Sequence, residues 1–163
     1  MPDTSVLFVC TGNICRSPTA ECVLRTLVAR SRLEAQIEVD SAATHDYQLG
    51  QPPDARAVAA ARRRGYALGD RVARQVQVDD FRRFDWILAM DRHNLATLRL
   101  LRPRAYRGWL GLFLDLAPQL GVREVPDPYH GEEEDFERVL DLTERGAAAL
   151  LELLRARLKP PAP

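Results

Sequence analysis

Apolar and polar positions along the chain predict strands that alternate with helices. Short apolar runs at 5–9 and 86–90 are typical of buried strands, because they are too brief for helices. Residues 37–41 alternate between apolar and polar, which predicts a strand with one buried face. The segment 109–114 is apolar enough for a fourth strand, although glycines in and beside it weaken this pattern.

Helices are predicted for the segments between and after these strands. Ser17 is expected to cap the first helix and Pro18 to be its first residue, since apolar residues then recur at spacings of three and four. Residues typical of helix starts and stops mark the other helices: Asp54, Gly65 and Asp91. After Gly131, a long apolar stripe predicts the last helix.

The order of these elements predicts an α/β fold class. Strands that alternate with helices form a parallel sheet with helices on both faces, because the crossovers are right-handed. We therefore expect a single domain over residues 1–158, with a four-stranded, Rossmann-like parallel sheet, and a disordered proline-rich tail at 159–163. Ligands of such sheets bind beyond the carboxyl ends of the strands, which is where we expect the functional site.

Composition narrows the classes of function. The 163 residues are 46% hydrophobic and 28% charged, a balance typical of a globular protein. The formal net charge of zero lacks the basic field used by nucleic-acid-binding proteins, so we expect no nucleic acid as a partner. No apolar run approaches the roughly 20 residues of a membrane span, and residues 1–5 do not resemble a signal peptide. We expect no membrane contact and a cytoplasmic location.

All three cysteines, Cys10, Cys15 and Cys22, lie near the start of the chain. An odd, clustered set is a poor disulfide framework, so chemistry is a better use for these thiols than crosslinking. A zinc site is disfavoured because no second pair of ligands accompanies the cysteines and the three histidines are scattered singly. We therefore expect neither a metal nor a cofactor.

Residues 10–17 connect the first strand to the first helix and have the composition of an anion-binding loop. Their backbone N–H groups are expected to converge near the helix N-terminus, where the helix dipole also favours negative charge. Gly12 is expected to let the backbone turn, and the planar guanidinium of Arg16 can bind two phosphate oxygens. The phosphate-binding residues predicted here are Thr11, Gly12, Asn13, Ile14, Cys15 and Ser17.

The same loop predicts a nucleophile. The positive field of the loop favours the thiolate of Cys10, which can accept a phosphoryl group. The departing oxygen then needs an acid and the phosphocysteine needs a base, and Asp127 is the candidate for both. Asp-Pro is often a plain turn, but beside this loop the catalytic interpretation is favoured. Ser17 can donate to the sulfur, or it can serve only as the helix cap.

Residues 6–18 closely resemble the low-molecular-weight protein tyrosine phosphatases, and matching motifs continue along nearly the whole chain. These motifs lie at 40–42, 52–54, 73–75, 84–85, 90–91, 94–95, 127–129 and 135–136. The resemblance implies hydrolysis of phosphotyrosine and small aryl phosphates through a phosphocysteine on Cys10. It also implies that Arg16 binds the phosphate and that Asp127 is the general acid and base.

Further roles are implied by the resemblance alone. Residues implied to support the loop are Asn13, Ser17, Ser41 and Arg71. Residues implied to wall a slot for a phenyl ring are Ile14, Tyr47 and Tyr129. Cys15 would pair reversibly with Cys10 on oxidation and so protect it from further oxidation.

Two positions depart from the family's pattern. Arg71 stands where many relatives carry a histidine that supports the loop network, and it could replace that donor or leave the loop looser. His130 stands where vertebrate members carry a second tyrosine that is phosphorylated for regulation. That mode of regulation is therefore not expected here.

Alternative functions use the same loop. Arsenate reductases of this fold need a relay of cysteines, and the chain has none beyond Cys22. Protein-arginine phosphatases tend to carry threonine at the position of Ile14, whose apolar side chain suits an aromatic ring instead. A phosphate-binding module without activity is the non-enzymatic alternative, for which Arg71 is the one indication. The expected partners are phosphotyrosine-containing proteins or peptides, with inorganic phosphate as product and competitive ligand, and the expected state is a monomer.

Overall fold

The computed structural model describes residues 1–157, so the tail predicted at 159–163 lies outside the described residues. The strands are β1 (Thr4–Cys10), β2 (Ile37–Ala43), β3 (Trp86–Ala89) and β4 (Trp109–Leu112). The helices are α1 (Arg16–Arg30), α2 (Ala55–Arg63), α3 (Asp80–Arg83), α4 (Arg92–Leu101) and α5 (Glu133–Arg157), with short 3₁₀ helices at Phe113–Leu116 and Pro118–Leu120. None of the helices in this part of the chain has the length and apolar character needed to cross a bilayer.

The four strands form one parallel sheet in the order β2-β1-β3-β4. Cys10, the last residue of β1, lies opposite Ala43 of β2, and Val9 lies opposite Ala89 of β3. The chain leaves β1 toward β2 on one side, and β3 occupies the other side, so the loop after β1 lies at a topological switch point. The predicted single-domain fold with a four-stranded parallel sheet is confirmed.

Alternate residues of β1 face two different cores, as the period of a strand requires. Val6 and Phe8 belong to the larger core, which is shared with α1, α2 and α5. Leu7 and Val9 belong to the smaller core, which is shared with α3 and α4. Because both faces of β1 are fully covered by helices, its carboxyl end is held rigidly where the site begins.

Several element ends differ from the prediction. α1 begins at Arg16 with Cys15 as its cap residue, since the N–H of Thr19 already donates to the carbonyl of Cys15 at 3.2 Å. The prediction that Ser17 caps this helix was therefore wrong. β2 extends past its predicted end, β4 stops short of position 114 where a 3₁₀ helix follows, and the short helix α3 was not predicted.

Gly65 ends the second helix, as predicted. Its φ of 85° lies in the left-handed region, which glycine enters without steric cost. The N–H of Gly65 donates to the carbonyl of Arg62, and the N–H of Tyr66 donates to the carbonyl of Ala61, both at 3.0 Å. This pair of bonds is a Schellman motif, and it explains why the helix stops here.

Candidate active site

The loop of residues 10–16 lies at the carboxyl edge of the sheet, between the end of β1 and the start of α1. β2 brings Ser41 beside this loop, and Asp91 follows β3 at the same edge. The chain beyond β4 returns to this edge at Val125 and Asp127. Together, the loop and Asp127 help to line a cavity of about 230 Å³.

The residues of this site form two groups that differ in exposure. We call the buried group the floor; it consists of Cys10, Asn13, Arg16, Ser17 and Ser41. We call the exposed group the rim; it consists of Tyr47, Asp127, Tyr129 and His130. The other predicted loop residues, Thr11, Gly12, Ile14 and Cys15, line the cavity between the two groups. The structure therefore brings the predicted loop, the predicted acid and the predicted slot walls together.

The sulfur of Cys10 is held by two groups of its own loop. The N–H of Asn13 donates to Sγ at 3.2 Å, and Ser17 Oγ lies 2.9 Å from Sγ. Ser17 Oγ accepts a hydrogen bond from Asn13 Nδ2 at 2.8 Å, which leaves the hydroxyl proton for another partner. The carbonyl oxygen of Ala42 is another possible acceptor, but it lies 3.5 Å from Ser17 Oγ. The Cys10 sulfur is therefore the better acceptor for the hydroxyl proton. Two hydrogen-bond donors are therefore directed at the Cys10 sulfur.

Asn13 makes the sharp turn of the loop, with a φ of 57°. Its side chain uses every polar group: Nδ2 donates to the hydroxyls of Ser17 and Ser41 at 2.8 and 2.9 Å, and Oδ1 accepts from the N–H of Arg74 at 3.1 Å. Asparagine tolerates this left-handed backbone better than most residues. The sequence predicts Gly12 as the turn residue. A Cβ atom added at Gly12 would first meet a flexible side chain, at 3.2 Å, so the loop does not depend on glycine at this position. Asn13 is therefore the residue that fixes the turn.

Glu21 completes the support behind the loop, although the sequence analysis did not predict a role for it. Ser41 Oγ donates to Glu21 Oε1 at 2.7 Å. Glu21 Oε2 pairs with Arg25 at 2.9 Å and contacts the guanidinium of Arg71. Arg71, which was predicted as loop support, therefore reaches the loop through Glu21 and Ser41. Its role as loop support stays a prediction.

Arg16 is oriented before any phosphate binds. Its Nη1 donates to Asp91 Oδ2 at 2.6 Å and to a backbone carbonyl at 3.0 Å. Nη2 lies 3.4 Å from Thr11 Oγ1 and 3.7 Å from Asp127 Oδ2. Burial alone would lower the pKa of Arg16, but Cys10 and Asp91 outweigh burial and raise the pKa above its ordinary value. Arg16 is therefore a fixed cation on the floor, as stabilisation of a phosphoryl group requires.

Asp91 and Asn94 were expected only as helix residues, but both support the site. Asp91 caps α4 by accepting the N–H of Asn94 at 2.9 Å, and its second oxygen holds Arg16. Asn94 Nδ2 donates to Thr11 Oγ1 at 3.1 Å. A signal for Asp91 was present in the sequence, because a residue that follows the third strand must lie at the same sheet edge as the loop.

The rim is exposed and carries the predicted acid, Asp127. The side chain of Asp127 is 52% exposed, and Tyr47 and Tyr129 are 73% and 39% exposed. Asp127 Oδ1 accepts from the N–H of Tyr129 at 3.1 Å, so one turn positions the acid and a slot wall together. The ring of Tyr47 stacks on His45 with centroids 4.9 Å apart, and His130 meets Tyr129 edge to face. His130, which the sequence marks only as a departure from the family's pattern, also lines the cavity.

The three cysteines are all buried and free, but they differ in chemistry. Burial, then the nearby Asp54, raises the pKa of Cys15, so this side chain stays a neutral thiol at physiological pH. Burial also raises the pKa of Cys22, whose Sγ donates to a backbone carbonyl at 3.0 Å. Pairing of Cys15 with Cys10 stays a prediction. Residues 1–157 contain no cluster of three His, Cys, Asp or Glu side chains that could hold a metal ion.

A family model described as low molecular weight phosphotyrosine protein phosphatase matches residues 5–159. The chain belongs to this family. A family member from Gallus gallus is 44% identical over 150 residues, which cover 91% of this chain and 94% of the relative. The predicted family and, with it, the predicted class of protein-tyrosine-phosphatase are confirmed.

Two solved structures extend the comparison. A protein tyrosine phosphatase from Entamoeba histolytica, crystallised with Hepes in its active site, matches with a TM-score of 0.89 at 38% identity, covering 95% of this chain and 99% of the other. A Drosophila arginine phosphatase matches with a TM-score of 0.87 at 27% identity, covering 94% of this chain and 99% of the other. The fold is therefore shared by enzymes named for two different phosphorylated residues.

Proposed function

We propose that this phosphatase hydrolyses phosphotyrosine through a phosphocysteine on Cys10. The Cys10 thiolate attacks phosphorus, and an S–P bond forms while the P–O bond to the phenol breaks. Arg16 and the backbone N–H groups of the loop bind the equatorial oxygens of the phosphoryl group as it transfers. Asp127, in its protonated form, gives its proton to the departing phenolic oxygen.

Water completes the reaction on the same residues. Asp127, now a carboxylate, takes a proton from water while the water oxygen attacks phosphorus. The S–P bond breaks, and the sulfur departs as the thiolate, which the hydroxyl of Ser17 at 2.9 Å stabilises. Inorganic phosphate is the product, and because it fits the same loop we propose that it also competes with substrate.

The observation that carries this proposal is the arrangement of nucleophile, cation and acid around one cavity. Cys10, Arg16 and Asp127 all line it. The sulfur has two donors, the guanidinium is held by a buried ion pair, and the acid lies 3.7 Å from that guanidinium. A phosphoryl group between Cys10 and Asp127 is therefore within reach of all three.

The walls of the cavity support an aryl phosphate as the substrate. Ile14, Tyr47 and Tyr129 line it, and aromatic side chains favour stacked or edge-on contact with another ring. We propose phosphotyrosine-containing proteins or peptides as the physiological substrates. The monomeric state, the cytoplasmic location and the domain limits at 1–158 remain predictions.

Phosphoarginine is the second candidate substrate, because an arginine phosphatase shares the fold. A guanidinium carries several N–H donors, and a site that selects it must provide acceptors or lose binding energy. Ile14, which lines the cavity, offers only an apolar side chain at that position. Phosphotyrosine is therefore the better fit.

A turnover panel tests the proposal. Native protein and the Cys10→Ser variant are compared on phosphotyrosine, phosphoserine and phosphoarginine peptides in the presence of a metal chelator. We expect phosphate release from phosphotyrosine alone, and its abolition by the substitution. Preferential release from phosphoarginine would move the assignment to the second candidate. Binding of phosphate without release from any peptide would leave a phosphate-binding module.

A further inference from the structure

Helix α2 is attached to two of the residues that form the slot walls. The N–H of Asp54, at the start of the helix, donates to the carbonyl oxygen of Ile14 at 2.9 Å. Two residues later, Nη2 of Arg56 donates to the carbonyl oxygen of Tyr129 at 3.0 Å. Ile14, in the phosphate-binding loop, and Tyr129, in the turn that also holds Asp127, are thus both hydrogen-bonded to residues 54–56.

An ion pair joins these two attachment points. Asp54 Oδ1 accepts from Arg56 Nε at 3.1 Å, and Asp54 Oδ2 accepts from Nη2 at 2.8 Å, which is the paired geometry that a planar guanidinium provides. Asp54 also caps α2 by accepting the N–H of Arg56 at 2.8 Å. The side-chain hydrogen bond from Arg56 lowers the pKa of Asp54, so the carboxylate stays charged.

Aromatic rings support the guanidinium of Arg56. Its central carbon lies 4.7 Å from the ring centroid of Phe136 and 5.6 Å from that of Tyr129. Phe136 is buried at the start of α5, so it is a fixed platform. Tyr129 in turn donates its N–H to Asp127, and Arg56 therefore also reaches the turn that holds the acid.

We propose that the Asp54–Arg56 pair sets the spacing between Ile14 and Tyr129, and thereby the size of the aromatic group that the slot admits. This inference rests on the proposed function, since it concerns the aryl group of that substrate. Both residues act through the walls, so they are positioning residues. The side chain of Arg56 is 48% exposed and that of Asp54 is 12% exposed, so the ion pair is partly screened by solvent and its loss should appear more in specificity than in folding. A lysine at position 56 keeps the charge but lacks the fork that reaches both partners.

Binding of two non-hydrolysable ligands of different width tests this inference. Benzylphosphonate and 2-naphthylmethylphosphonate present the same phosphonate to the floor and differ only in the ring. Their dissociation constants are measured by calorimetry for the native protein and for Arg56→Ala, Arg56→Lys and Asp54→Asn. Arg62→Ala is the matched control, because the side chain of Arg62 is exposed on the same helix and forms no hydrogen bond or ion pair with the residues that the structure describes.

We expect the native protein to bind the narrower ligand more tightly. In each of the three variants, the ratio of the two dissociation constants should fall by about three- to fivefold. Inorganic phosphate, which has no ring to reach the slot walls, should compete equally well with all proteins, and thermal unfolding should barely change. Because the two residues act as one unit, Asp54→Asn combined with Arg56→Ala should lose no more than either single variant.

An unchanged preference in Arg56→Ala and Asp54→Asn would overturn the inference, as would an equal change in Arg62→Ala. Additive losses in the double variant would also contradict it. The outcome does not depend on turnover. If the native protein bound both phosphonates but hydrolysed no aryl phosphate, the proposed function would fail. The binding data would still show whether the Asp54–Arg56 pair sets the width of the slot.

Discussion

Cys10 and Arg16, on the floor of the active site, are each 2% exposed, whereas the side chain of Asp127 on the rim is 52% exposed. The floor is a closed set of hydrogen bonds in which Asn13 and Ser41 each serve as both donor and acceptor. The rim is held by single contacts along its backbone and by stacked rings. The two regions thus differ in how far their geometry is fixed before substrate arrives.

The difference reflects what each region must bind. The phosphoryl group is the same in every substrate, so a buried and preorganised floor can match it with no reorganisation during the reaction. In the proposed reaction the rim meets a phenol, its attached protein and the attacking water in turn, and this requires a rim that is open to solvent. Substitutions on the floor should therefore weaken the binding of every ligand that carries phosphate. Substitutions on the rim should change only the binding of the organic part of the substrate or the rate of a single chemical step.

Arg16→Lys should have the largest effect. A lysine cannot bind two phosphoryl oxygens with a planar fork while it also donates to Asp91. We expect kcat/KM for a phosphotyrosine peptide to fall about 10³-fold and the affinity for inorganic phosphate to fall as well. Steady-state kinetics with phosphate as competitor measure both. A loss below about tenfold would show that the floor cation is not the main phosphate ligand.

Asp127→Asn should cost about 10²-fold in kcat on phosphotyrosine, because the leaving phenol loses its proton donor. The inhibition constant of inorganic phosphate should stay within about twofold, since the floor is intact. Release of the first product from p-nitrophenyl phosphate, whose leaving group needs little protonation, should be far less affected. If first-product release were slowed equally for both substrates, Asp127 would not be the acid.

Alkylation should separate two thiols that lie close together. The raised pKa of Cys15 keeps this side chain protonated, so its thiolate fraction stays minimal at neutral pH and grows only as pH rises well above the ordinary range of a thiol. We expect iodoacetate to modify Cys10 about 10²-fold faster than Cys15 at pH near 7. Peptide mapping by mass spectrometry gives the ratio, and phosphate should protect Cys10. Equal labelling would contradict this account of the floor.

Ser41→Ala should weaken the floor without touching the substrate. It leaves Glu21 Oε1 without its hydroxyl donor and Asn13 Nδ2 without one acceptor. We expect the free energy of unfolding to fall by about 1–3 kcal/mol and kcat to fall about tenfold. Chemical denaturation and kinetics give the two values, with Ser31→Ala at the far end of α1 as the control. A stable, fully active variant would show that the network is not needed.

Tyr47→Ala should have the smallest effect, since this rim residue is 73% exposed. We expect KM for a phosphotyrosine peptide to rise about threefold through lost ring contact. Stability should change by no more than about 0.5 kcal/mol, and phosphate inhibition should not change. A change in phosphate affinity comparable to that of Arg16→Lys would remove the distinction between rim and floor.

The floor was more readily predicted from the sequence than its supports were, because Cys10 to Ser17 are contiguous and their chemistry is local. Asp127 could be placed since strand ends share one sheet edge. Glu21 was missed because a residue within a helix reveals its partners only once strand order and helix rotation are known. Asp91 was expected only as a helix cap, although its place after the third strand already put it at the sheet edge of the loop. The turn at Asn13 was missed for a different reason: sequence favours the adjacent glycine, and the hydrogen bonds of the asparagine side chain outweigh that preference.

In the proposed reaction the phosphoryl group passes through Cys10, and trapping the phosphocysteine would demonstrate that step itself. Asp127→Asn slows the hydrolysis of the phosphocysteine because the water loses its base. The variant is mixed with p-nitrophenyl phosphate, whose leaving group needs little protonation, so that the first step stays fast; it is then quenched rapidly in denaturant and mapped by mass spectrometry. We expect one phosphoryl group on the peptide that contains Cys10, and none when Cys10 is also replaced by serine. Continued turnover with no phosphorylated Cys10, or with the phosphoryl group on another residue, would contradict it.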